Sequence, residues 1–93
     1  MPRYDLAHIR EQEIDLIIIP LNSSFGHRTQ AEQQEIVGEL QLRANAAGLK
    51  GSVVPVWESL GRMAFLAPSR WHPFFQSISL QFVHANLNKN ISW

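Results

Sequence analysis

Ser23, Ser24, Gly26, His27 and Arg28 place hydroxyls, an imidazole and a guanidinium just ahead of a helix signature. Free backbone N–H groups and the helix dipole favour an anion at such a place, and Arg28 or a protonated His27 would add charge. The glycine spacing is neither that of a phosphate-binding P-loop nor that of a dinucleotide fingerprint. The plain alternative is a connecting loop with an ordinary cap. A second group, Arg70-Trp71-His72-Pro73-Phe74-Phe75, sets an arginine, an indole and an imidazole in a row. Trp and Arg are favoured interface anchors. Its plain alternative is a packed aromatic turn, because aromatic residues dominate cores as well.

Other chemistry is weakly marked. His8, His27, His72 and His84 lack the short paired spacing of helical or finger metal sites, so no metal is expected. His84 shares an alternating apolar face with Leu80 and Phe82, which suits a hydrogen-bonded core residue or a pocket wall. There is no G-x-S-x-G elbow, and Ser23, Ser24 and His27 show no base-orienter pattern. No catalytic residue is named, and no cofactor is implied. An RNA-recognition sheet would carry paired aromatics, whereas only Phe65 is available on the third strand.

The elements that must hold these residues come from hydrophobic pattern. Ile14 to Pro20 reads as a strand that is apolar on both faces, hence central. Thr29 and Glu32 form a capping box for a helix from about Gln30 to Ala47. Ile36, Val37, Leu40, Ala44 and Ala47 are its stripe, Leu42 lies off it, and Gly48 with Leu49 forms a left-handed cap. Ser52 to Trp57 and Arg62 to Ala67 read as a hairpin, with the turn between Glu58 and Gly61. Pro55 cannot donate to a ladder, so its strand is expected at an edge or a bulge. Ser69 to Ser77 reads as a short helix or turn, with Pro73 at a first helical position. Ile78, Leu80 and Phe82 alternate with Ser79, Gln81 and Val83 as a last strand. Asn86 to Trp93 reads as a polar tail. Asp5 to Glu13 is ambiguous, with a short helix capped by Asp5 as the reading offered.

The resulting order, β-α-β-β-α-β, implies an α+β fold of the ferredoxin-like split β-α-β type. Its antiparallel sheet would run 4-1-3-2, with both helices on one face and a possible extra N-terminal helix. The loop after the first strand and the hairpin would then share one end of the sheet. That arrangement brings His27 and Arg28 near Trp57, Glu58 and Arg62, with His72 at the other end. The opposite sheet face would be open and apolar, which marks an interface or groove.

Length and composition set the frame. Ninety-three residues make one domain, 1–93. The chain is 45% hydrophobic and 17% charged, with zero net charge and no cysteine. The usual charged share is about 25%, so self-association is expected, as a homodimer through the open sheet face. The neutral balance argues against nucleic acid. The absent disulfides and the polar N-terminus point to a cytoplasmic chain, and the apolar stretch Ile14 to Leu21 is too short for a membrane span.

Two functional readings follow. The first is a small soluble binding or interaction module that self-associates. The second is a small cofactor-independent enzyme with a pocket between sheet and helices or at a dimer interface. Ser24, His27, Arg28, Trp57 and Arg62 are the candidate anion or ligand residues. Arg70, Trp71, His72 and His84 are the candidate interface or pocket residues.

Overall fold

The computed structural model describes residues 3–93. Its elements are β1 Arg3–Glu11, β2 Ile14–Pro20, a short 3-10 helix Ser23–His27, α1 Gln30–Ala46, β3 Ser52–Ser59, β4 Arg62–Phe65, a 3-10 turn Ser69–Trp71, α2 His72–Ser77, α3 Leu80–Ala85 and β5 Lys89–Ser92. The five strands form one mixed sheet in the order β4-β3-β2-β1-β5. Only β2 and β3 pair in parallel, with Ile18 opposite Val54, and α1 is the crossover between them. The other neighbours are antiparallel. The class is α+β, but the ferredoxin-like order 4-1-3-2 does not occur.

Three local readings are overturned, and together they change the topology. Residues 5–13 are not helical. The segment from Arg3 pairs with β2 through a hairpin whose two turn residues, Gln12 and Glu13, both have positive φ, at 51° and 65°. Both strands of this hairpin contribute to both cores: Leu6 joins Ile17 and Ile19 on one face, and Ala7 joins Leu16 and Ile18 on the other. Residues 78–83 are not a strand. Ser79 caps a helix by accepting from the Phe82 N–H at 3.2 Å, and Leu80, Val83 and Leu87 then recur at helical spacing on one core. Residues 89–92 are not a tail but an edge strand, with Arg3 opposite Ser92.

Pro55 is also not on an edge strand, since β3 lies between β4 and β2. Successive carbonyls point to opposite sides of a strand. That of Val56 faces β2 and accepts from Leu21 N–H at 2.7 Å, while that of Pro55 accepts from Leu66 N–H at 3.2 Å. The missing donor therefore faces the chain just past the end of β4, where only one ladder bond is forgone.

The helices do not share a face. α1 covers one side, packing Leu40 and Ala44 on Leu6, Ile17, Ile19, Val53 and Ile91. Trp71, Phe75 and Val83, from the segment carrying α2 and α3, cover the other over Ala7, Leu16, Ile18, Val54 and Val56. The open sheet face is thus absent. Two buried faces hold the apolar residues of the central strand.

The reading of α1 holds at both caps and for Ile36, Val37, Leu40 and Ala44, while the helix ends at Ala46 and Ala47 is an exposed cap residue. Thr29 Oγ1 accepts from Glu32 N–H at 3.2 Å, and Glu32 Oε1 accepts from Thr29 N–H at 3.0 Å. At the other end Gly48 has φ +86°, Gly48 N–H donates to Asn45 O and Leu49 N–H to Ala44 O, both at 3.0 Å. The Gln41 side chain then fixes α1 to the sheet. Its amide donates to Gly51 O and accepts from Val53 N–H, each at 2.9 Å. At the far edge Asn88 plays a similar part. Its side chain accepts from His8 N–H at 2.9 Å and donates to His8 O at 3.0 Å.

Candidate functional site

A wide concavity lies on the α2–α3 side of the sheet. β4 is short, and the helices do not extend over the whole β3–β4 hairpin. A recess of about 740 Å³ is left between that hairpin and the α2–α3 segment. Met63, Phe65, Phe75, Ile78 and Leu80 supply its apolar lining, and Glu58, Arg62, Gln76 and Gln81 are among its polar residues. A second recess, of about 460 Å³, lies at the end of the sheet where β1 begins and β2 ends. It is lined by Arg3, Asp5, Ser23, Glu58 and His84, with Leu80 and Leu87 beside them. Both recesses include Glu58 and Leu80, so they adjoin as one groove along α3.

The charges of the polar end are set by strand geometry. Arg3 and Asp5 are two apart on β1 and so share a face, and the guanidinium meets the carboxylate at 3.3 Å. His84 follows Leu80 by four residues on α3, which puts both over the sheet end.

The candidate residues named from sequence are distributed among several surfaces. His27 and Trp57 do come together with Glu58, in a recess of about 530 Å³ between the 3-10 helix and the hairpin. Ser24 and Arg28 line a separate, smaller hollow with Tyr4, Asn22, Phe25 and Ile36. The Arg28 guanidinium lies 4.0 Å from Glu32, one turn along the chain. Arg62 lines the large α3-side recess. The composite anion site expected from Ser24, His27, Arg28, Trp57 and Arg62 is therefore not assembled.

Trp71 is buried in the core, with Arg70 placed 5.2 Å over its ring, so this group is the packed aromatic turn. His72 donates from Nε2 to Ala67 O at 2.9 Å, just before its own turn, and stacks edge-on against Phe65 at 5.3 Å. His84 lines the groove as a pocket residue and is not a core histidine.

Hydrogen bonding supplies no catalytic relay among the described residues. His8 and His72 each engage a backbone carbonyl and not a carboxylate. No group of three or more His, Asp or Glu side chains is placed to hold a metal ion among the described residues. No helix of the described chain is long and apolar enough to cross a membrane. The one carboxyl clearly held below its ordinary range is that of Glu32, through the Thr29 backbone N–H first, then the Thr29 hydroxyl, and more weakly Arg28.

Sequence reasoning missed Phe75, Arg3 and Asp5 as groove residues. Leu80, His84 and Leu87 at spacings of four and three carry the signal that was available, once the segment is read as a helix. Arg3 and Asp5 carried none, because their role depends on β1 being a strand. Comparison with protein-family models, curated proteins and solved structures gives no match.

Proposed function

We propose that this chain is a small ligand-binding module whose ligand is amphipathic and lies in the groove along α3. The observation that supports the reading is the continuity of two unlike recesses through Glu58 and Leu80. Ligand sites are concave, largely apolar and fitted with a few polar groups, in volumes of roughly 300–1,000 Å³. Here the Met63–Phe65–Phe75–Ile78 half suits an apolar body. The Arg3–Asp5–His84 half suits a polar head.

The test is a titration of the isotopically labelled protein by NMR with octanoate, octylamine and octyl glucoside, followed by shorter chains carrying the best head. Shifts are expected at Met63, Phe65, Phe75 and Ile78 for the chain, and at Arg3, Asp5 and His84 for the head. Each methylene buried contributes about 0.8 kcal/mol, so affinity should rise about fourfold per carbon until the apolar half is full. Met63→Lys should abolish that dependence in a protein with an unchanged spectrum elsewhere. Affinity independent of chain length, or shifts scattered over the surface, would overturn the reading.

A further inference from the structure

The recess beneath the 3-10 helix lies on the other side of the hairpin and has its own chemistry. Trp57 is only 8% exposed, packed by Phe25 edge-on at 4.8 Å. Its indole N–H has no acceptor among the described residues. Among the described residues no fully buried side-chain polar atom lacks a partner, so this N–H keeps some exposure, on a residue that lines the recess. A nearly buried donor of this kind is costly to leave unpaired and is a defined point of recognition.

Two small residues, Gly26 and Ala64, lie against the indole. A Cβ on Gly26 would stand 2.6 Å from the indole nitrogen, so only glycine allows this approach. Ala64 is the cross-strand partner of Trp57 and leaves the hairpin side open. Leu60 stands on the rim, 99% exposed at the tip of the hairpin with φ +51°.

We infer that this recess, which borders the α3 groove at Ser23 and Glu58, is a second binding site, for a neutral carboxamide such as a peptide group bearing an alkyl side chain. The lining decides the class. Ser23, His27, Glu58 and Ser59 line the recess together with Trp57, and no arginine lines it. Arg28 lies in another hollow beside Glu32, and Arg62 lies in the α3 groove. An anion there would meet no guanidinium to offset its charge. An amide carbonyl accepts from the indole N–H, its own N–H donates to a serine hydroxyl, and an alkyl group covers Leu60.

The indole resonance of Trp57, assigned with Trp57→Phe, reads the site directly. The protein is titrated with N-acetyl-leucine methylamide and, at equal ionic strength, with N-acetyl-leucine, which replaces the terminal amide by a carboxylate. The methylamide should give a saturable shift of that resonance and bind at least about fivefold more tightly, the equivalent of one hydrogen bond. Ala64→Leu should abolish the shift. Leu60→Asn keeps the turn, because asparagine accepts positive φ, and should weaken binding without loss of stability, which separates contact from misfolding. Tighter binding of the carboxylate, or no saturable shift with either compound, would overturn the inference.

Discussion

Thr29 and Glu32 bind each other's backbone at the start of α1, and the consequences of that pairing are measurable one residue at a time. Thr29→Ala removes an N-cap and should cost about 1 kcal/mol in urea denaturation. Glu32 adds a pH dependence. Its folded-state pKa lies below the unfolded value, so its contribution is complete above the ordinary carboxylate range and is lost as pH falls through the lower folded value. The stability difference between the native chain and Glu32→Gln should therefore be present at neutral pH and shrink in acid below about pH 4. Gly51 makes a different demand. It has φ +121°, and any Cβ there would run into the Asp15 carbonyl. Gly51→Ala should destabilise by roughly 2 kcal/mol or more, combining backbone strain with the clash. The capping box was legible because both partners lie within four residues. The Gly51 contact joins residues far apart in the chain, and the Trp57–Gly26 contact depends on how a loop lies on a strand, so neither leaves a local mark.

At the scale of elements, the units with strong local punctuation were readable and those without it were not. β2, α1 and the β3–β4 hairpin have proline, capping residues or glycine at their ends. The β1–β2 hairpin turns on Gln12 and Glu13, neither of which favours positive φ. Its turn is held by the strands it joins, which hid β1 from sequence reasoning. The double substitution Gln12→Asn with Glu13→Gly installs the asparagine-glycine pair suited to a turn with two positive φ angles. It should raise stability by about 1 kcal/mol in the same denaturation experiment. α3 failed for the opposite reason. Over six residues, Ile78, Leu80 and Phe82 satisfy an alternating pattern while Leu80 and Val83 satisfy a helical one. Ser79, which caps Phe82 N–H inside that window, and the core position of Leu87 beyond it decide between them. The site was less legible than the fold because the α3 groove is made by α3, β1 and the hairpin together.

For the whole molecule, the central strand carries the difference between the expected and observed architectures. Ile17 and Ile18 point to opposite faces, and both are fully buried, one under α1 and the other under the α2–α3 segment. Ile17→Ala and Ile18→Ala should each cost about 2–5 kcal/mol, where a sheet with one open face would show one costly and one inexpensive substitution. Equilibrium unfolding of the two variants distinguishes these cases. The reciprocal bonds between Asn88 and His8 have a further consequence at this scale. β5 pairs only as far along β1 as Leu6, and beyond it the outer side of β1 would present an unpaired N–H and C=O to any passing chain. The Asn88 carboxamide occupies both groups of His8 and imitates one more residue of strand. A side chain of this kind protects an edge against intermolecular pairing. Its removal would leave a template for fibrillar growth in a protein that is still folded.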